Sequence, residues 1–194
     1  FAVAEEVTIK GNKTKRPDVV IYVNGIALGV LELKRSKVSI GEGIRQNIVN
    51  QSDDFIMPFF STVQYLFAGN DTEGLRYGTI DTPEKFYLSW KEDVEDTSRI
   101  LLDKYLLKMC DKERFLEIIH DAILFDAGIK KLPRVHQYFG LKAAQENVNN
   151  YEGGIIWHTQ GSGKSILMVI LAKWILENHP NARIAIITDR DELD

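Results

Sequence analysis

The chain has 194 residues, a formal net charge of −4, a single cysteine and 44% hydrophobic residues. These values describe a soluble globular protein of one to two domains. A lone Cys110 excludes an internal disulfide and fits a reducing compartment. The longest apolar run, 166–176, is broken by Lys173 and is too short to cross a bilayer, so no membrane partner is expected. No secretory leader is read, and a start at Phe1 rather than Met points to a trimmed segment. The negative total excludes a global attraction to nucleic acid. Charge is uneven, however: Lys10, Lys13, Lys15, Arg16, Lys34, Arg35 and Lys37 outnumber Glu5, Glu6, Asp18 and Glu32, whereas acidic residues prevail over 81–126. A basic cluster of this kind serves either as a solvated surface or as a contact for phosphates.

In chain order, 7–10 reads as a short strand. Segments 18–23 and 26–34 are β-branched and apolar and flank Asn24-Gly25, a strong hairpin signal. Ser39 and Glu42 form a capping box that opens a helix to about Phe55, with Pro58 just beyond. Strands are expected at 62–68 and 76–80, separated by Gly69-Asn70-Asp71, and 83–96 is polar and irregular. Two helices follow. Segment 97–109 carries Ile100, Leu101, Tyr105 and Leu106 at helical spacing; 111–125 carries Phe115, Ile118, Ile119 and Ala122, with Gly128 as its stop. A further helix starts near Pro133 and runs to about Asn147. Then come a strand at 154–157, a loop, a helix over 164–178, a turn at Pro180-Asn181 and a strand at 183–188. That alternation implies a parallel sheet. A boundary at 128/129 divides the chain into units 1–128 and 129–194, the second too short for a complete nucleotide-hydrolysing domain.

Gly161-Ser162-Gly163-Lys164-Ser165, between an apolar stretch and a helix, reads as a phosphate-binding loop. Backbone N–H groups and a helix N-terminus hold phosphate, Lys164 reaches the β/γ-phosphates, and the Ser165 hydroxyl meets Mg²⁺. The usual first glycine of the pattern is replaced by His158.

In the first half, Pro17-Asp18 precedes Glu32-Leu33-Lys34. Two carboxylates brought together can hold Mg²⁺ through hard oxygens, and a lysine beside them can orient the attacking water and stabilise developing charge. Glu32 and Lys34 share a strand face. A strict two-residue turn at Asn24-Gly25 pairs Asp18 with Leu31 and turns it away from Glu32. A one-residue offset is therefore predicted, either in the turn at Gly25 or as a bulge at Gly29. The alternative for Glu-x-Lys is a solvated edge, but charges inside so apolar a strand are costly unless used or paired. Gln46, on the following helix, is placed to face the site. His120, His136, His158 and His179 show no metal-ligand spacing with Cys110, and Trp90, Trp157 and Trp174 read as packing residues.

Pro17-Asp18…Glu32-Leu33-Lys34 resembles the metal site of the PD-(D/E)xK nuclease superfamily. The stretch 63–67 with Leu75-Arg76-Tyr77-Gly78 resembles the segment after that site in the R subunits of type I restriction–modification enzymes. Residues 157–165 are similar to the first helicase motif of those subunits, where His at the first position is usual. Residues 188–193 resemble the next motif, and Arg134-Val135-His136-Gln137 resembles the adenine-reading element of superfamily 2 helicases. The resemblance implies an α/β fold: a restriction-endonuclease-like mixed sheet with flanking helices, then the first part of a RecA-like P-loop domain. It implies a Mg²⁺-dependent endonuclease joined to an ATP-dependent translocase of double-stranded DNA, cleaving unmodified duplex away from the recognition site. Its partners would be the methylation and specificity subunits, in the prokaryotic cytoplasm. Asp18, Glu32, Lys34 and Gln46 would be catalytic, with Asp18, Glu32 and the Leu33 carbonyl on the metal. Gln137, Thr159, Gln160, Gly161, Ser162, Gly163, Lys164 and Ser165 would bind ATP, and Ser165 its Mg²⁺. The family's Gln-x-x-x-Tyr reads Gln46…Asn50 here. The acidic hydrolysis motif would lie beyond Asp194, so no ATP turnover is expected of this chain by itself. Two other functions stay open: a different nuclease–helicase fusion acting in end resection, and a non-catalytic DNA-docking module on a motor.

Overall fold

The fold is built on a six-stranded sheet in the order β1 (Ala2–Glu5), β2 (Val19–Val23), β3 (Ile26–Leu33), β4 (Tyr65–Asn70), β5 (Gly74–Gly78) and β6 (Leu88–Ser89). The computed structural model describes residues 1–92 and 95–187. Only β3 and β4 run parallel, connected by α1 (Ile40–Asn50) as the crossover; the other pairs are antiparallel. The sheet is therefore mixed, with helices on both faces.

Asn24 and Gly25 both take positive φ, 50° and 80°, which is the two-residue hairpin turn that Asn-Gly favours. Val23 pairs with Ile26 and Tyr22 with Ala27, but Ile21 pairs with Gly29. Leu28 is thus an extra residue on β3, a bulge next to Gly29. Beyond it the register changes, so Val20 pairs with Val30 and Val19 with Leu31. The predicted one-residue offset is present as the bulge.

One sheet face packs on α1. Val30, Leu66 and Ala68 meet Ile40 and Ile44, closed by Ile56, Phe60 and Tyr87. The other face carries Ile21, Leu31, Tyr65, Phe67, Leu75 and Tyr77 against α2 (Leu101–Met109) and α3 (Lys112–Glu117). That cluster continues into α4 (Val135–Asn149) and α5 (Lys164–Asn178) through Tyr138, Leu141, Leu167 and Ile170. Tyrosine hydroxyls fasten it: Tyr65 donates to Phe115 O at 3.1 Å, Tyr77 to Pro133 O at 2.7 Å, and Tyr138 to Glu117 Oε2 at 2.8 Å. Arg114 Nη1 reaches Glu92 Oε2 at 2.5 Å, and its guanidinium lies over the rings of Trp90, Tyr138 and Phe139.

Several elements differ from the sequence expectation. The first strand is Ala2–Glu5; within 7–10, Ile9 makes an isolated bridge to Lys15. Helix α1 ends at Asn50 rather than near Phe55, and the chain turns into a 3₁₀ segment, Met57–Ser61, containing Pro58. The Ser39 side chain caps α1 by accepting from Gly41 N, while Glu42 pairs with Arg45 instead of closing the reciprocal box. Segment 83–96 contributes the short strand β6. The helix expected over 111–125 stops at Glu117, passes through a π turn (Ile118–Ala122), and gives way to a hairpin, β7 (Leu124–Asp126) and β8 (Ile129–Lys131). Gly128, read as a helix stop, is in that hairpin's turn with Ala127, both at positive φ. The hairpin therefore straddles the 128/129 division. Helix α5 occupies 164–178 as expected, but 154–157 and 183–187 are not strands. Ile155, Trp157 and Ile187 are exposed, because no neighbouring strand among the described residues offers the hydrogen bonds a parallel sheet requires. Residue 188, and the stretch 188–193 compared with a helicase motif, lie outside the described residues.

Candidate functional site

The bulge decides what stands beside what. With Val19 opposite Leu31, Asp18 falls opposite Glu32, on the face that also carries Val20 and Val30 toward α1. Asp18 Oδ2 accepts the backbone N–H of Leu33 at 2.7 Å, which ties the carboxylate to the end of β3. Lys34, two residues past Glu32, lies on the same face. Its Nζ donates to Gln46 Oε1 on α1 at 2.7 Å. Asp18, Glu32, Lys34 and Gln46 therefore stand together at one end of β3.

Glu32 is fully buried. Its Oε1 accepts from Asn50 Nδ2 at 3.4 Å, and its Oε2 has no donor among the described residues. Burial first, and the neighbouring Asp18 carboxylate second, push the Glu32 carboxyl from 4.5 up to about 8; Lys34 and Lys15 oppose the shift. Two carboxylates that repel each other, one with an orphaned oxygen, are the donor set expected to welcome a divalent cation. The residues present fit such an ion. Among the described residues, no group of three or more His, Cys, Asp or Glu comes together, so two carboxylates with backbone or amide oxygens would have to suffice.

A small cavity of about 320 Å³ adjoins this cluster, lined by Lys15, Lys34, Arg45, Gln46 and Asn50 among others. Sequence reading missed Lys15 and Asn50 as members. Lys15 belongs to the loop closed by the Ile9 bridge, where its ammonium stacks on Phe55 at 4.0 Å. Asn50 is signalled in sequence only by its departure from Tyr.

The phosphate loop lies far along the chain, at the start of α5. Gly161 and Gly163 both adopt left-handed φ, 73° and 83°, and Gly163 is the N-cap of α5. Lys164 Nζ folds back onto the carbonyls of His158 and Thr159, at 3.1 and 3.0 Å. Ser165 is exposed, and Ser162 is buried with a hydroxyl that has no partner among the described residues. Two residues at the start of α4 hold the loop. Gln137 Nε2 donates to Gly163 O at 3.0 Å while its Oε1 accepts Arg134 N–H at 2.8 Å; His136 Nε2 lies 2.9 Å from Ser162 O. His136 was not foreseen, although it directly precedes Gln137. Thr159 and Gln160 are exposed beside the loop. A cavity of about 790 Å³ opens alongside, bounded by Tyr87, Ile129, Arg134, Gln137 and Gly161 among others.

Comparison with known proteins gives two family matches. Residues 1–85 match the family described as type I restriction enzyme R protein N terminus, and residues 136–194 match SWI2/SNF2 ATPase. All of the chain aligns with a putative type I restriction enzyme MjaVIIIP endonuclease subunit of Methanocaldococcus jannaschii at 32% identity. It aligns over the same extent with the type I restriction enzyme HindI endonuclease subunit of Haemophilus influenzae at 28% and the SsaAORF53P endonuclease subunit of Staphylococcus saprophyticus at 26%. The chain spans about a fifth of the length of these curated relatives. Among the described residues no helix is long and apolar enough to cross a membrane.

Proposed function

Because the chain belongs to the family of type I restriction enzyme R proteins, we propose that residues 1–128 are a Mg²⁺-dependent DNA nuclease unit of the PD-(D/E)xK kind and 129–194 the start of a RecA-like, ATP-driven DNA translocase. The reading rests on one observation above all: the bulge at Leu28 turns Asp18 onto the face of Glu32 and Lys34. Asp18, Glu32 and the Leu33 carbonyl would hold Mg²⁺, which when bound acidifies water and neutralises charge on the scissile phosphate. Asp18 is kept in place by the Leu33 N–H. Gln46 holds the Lys34 ammonium, which would steady the attacking water and the negative charge growing on the phosphoryl oxygens. Lys15 and Lys34 supply positive charge at the cavity rim, where a sugar–phosphate chain would approach, while Arg45 is engaged by Glu42 and Glu84.

In the second unit, Thr159, Gln160, Gly161, Ser162, Gly163 and Lys164 would cradle the phosphates of ATP, and Ser165 would meet its Mg²⁺. Lys164 would exchange two backbone carbonyls for the β/γ-phosphates. Gln137 would exchange its present bonds for the adenine edge, so nucleotide arrival would loosen the grip of α4 on the loop. The whole R protein would act with methylation and specificity subunits on unmodified duplex DNA.

The test uses the complete R protein assembled with those subunits. Glu32→Ala and Lys34→Ala should each abolish cleavage of circular unmodified DNA while ATP-driven translocation continues. Cleavage surviving both changes with normal translocation would reduce the first unit to a docking module.

A further inference from the structure

We propose that Asn50 supplies a third side-chain oxygen to the cation site, through its amide Oδ1, either directly or by way of an ion-bound water. The proposal rests on the reading of Asp18 and Glu32 as the cation-binding pair.

The argument starts from unpaired atoms. Asn50 closes α1 and is 1% exposed. Its Nδ2 donates to Glu32 Oε1 at 3.4 Å, leaving Asn50 Oδ1 and Glu32 Oε2 as two buried acceptors, each without a donor among the described residues. Leaving a buried polar atom unmatched is costly, so two on directly bonded side chains call for a shared complement. An amide oxygen and a carboxylate oxygen are both hard acceptors, and a divalent cation with its water shell satisfies both at once.

Neighbouring side chains do not compete for the role. Asn47, one turn earlier on α1, also has an Oδ1 without a partner among the described residues, but its amide is fixed to Phe67 O at 2.9 Å and it does not line the small cavity. Gln46 lines the cavity, yet its oxygen is taken by Lys34. Asn50 combines three properties: it bonds to Glu32, it lines the cavity, and its oxygen has no partner among the described residues.

The experiment is a Mn²⁺ titration of this chain. Bound ion is read by electron paramagnetic resonance, and its water count by water-proton relaxation. Asn50→Leu, of similar size, should weaken Mn²⁺ at least tenfold and add exchangeable water to whatever ion still binds. Asn50→Asp, which keeps an oxygen in place, should bind Mn²⁺ at least as tightly as the parent chain. Unchanged affinity and relaxation in Asn50→Leu would overturn the proposal. So would an equal loss in Asn50→Asp, because that outcome leaves Asn50 as a structural prop for Glu32. Should Asn50→Leu fail to fold, Asn50→Asp decides by itself. A Glu32→Gln arm separates the two layers: Mn²⁺ binding untouched by Glu32→Gln sinks the carboxylate-pair reading itself.

Discussion

Glu32→Gln should make the metal-free protein more stable in alkaline solution, against the usual effect of altering a buried site. The folded carboxyl titrates at about 8 against an ordinary 4.5, because burial and then Asp18 disfavour its charged form. Between these values the folded chain keeps a proton that the unfolded chain has released. Stability contributed here is therefore present at acid pH and is lost as pH rises from 4.5 through 8. Each pH unit is worth about 1.4 kcal/mol, so the full span sets a ceiling of about 5 kcal/mol. The opposing Lys34 and Lys15 charges are already contained in that span, and water entry on unfolding of the site's surroundings lowers the observable part to about 2–4 kcal/mol. Glutamine has the shape of the protonated acid and carries no proton to lose. Urea unfolding in chelator at pH 5, 6.5, 8 and 9 should show the two proteins nearly equal at pH 5 and Glu32→Gln more stable by that amount at pH 9. Saturating Mg²⁺ should reverse the order, since an ion that binds the folded parent stabilises it by mass action and finds no paired carboxylates in the variant. Parallel profiles across the pH range, or a less stable Glu32→Gln at pH 9 without metal, would refute the reasoning.

Other consequences follow from the packing. Gly163→Ala places a Cβ 2.4 Å from Gln137 Nε2 at a φ of +83°, a conformation that costs a non-glycine residue about 1–2 kcal/mol before any clash. Thermal melting should fall by several degrees, and nucleotide binding, followed with a fluorescent ATP analogue, should be lost. Arg114→Met keeps much of the apolar stem but leaves Glu92 facing the Trp90–Tyr138 contact without its guanidinium partner. It should cost about 2–3 kcal/mol in urea unfolding, and an unchanged midpoint would show that bond to be incidental.

The sequence reading succeeded where the signal is local. Asn24-Gly25 specified the hairpin because its two residues accept positive φ cheaply. Ser39 specified the start of α1, and Gly163-Lys164 the start of α5. The convergence of Asp18 with Glu32 was reached through chemistry: two carboxylates that are to share one ion demand an offset, Gly29 marked one place for it, and the extra residue is its neighbour Leu28. Failures gather where non-local partners decide. Helix 111–125 has helical spacing throughout, but Ala127-Gly128 turns the chain back and makes its last residues the first strand of a hairpin. Segments 154–157 and 183–187 have strand composition and no strand beside them among the described residues. Asn50 and Glu32, on separate elements, meet only after α1 has packed on the sheet.

The most direct test of the central claim is calorimetric titration of this chain with Mn²⁺ in two buffers of different ionisation enthalpy. If Asp18 and Glu32 share a divalent ion, binding at pH 7 must displace the proton held at about 8, so about one proton should leave per ion, falling toward none at pH 9.5. Asp18→Asn should remove the binding event. Binding without proton release at pH 7, and undiminished in Asp18→Asn, would place the ion elsewhere and contradict the account.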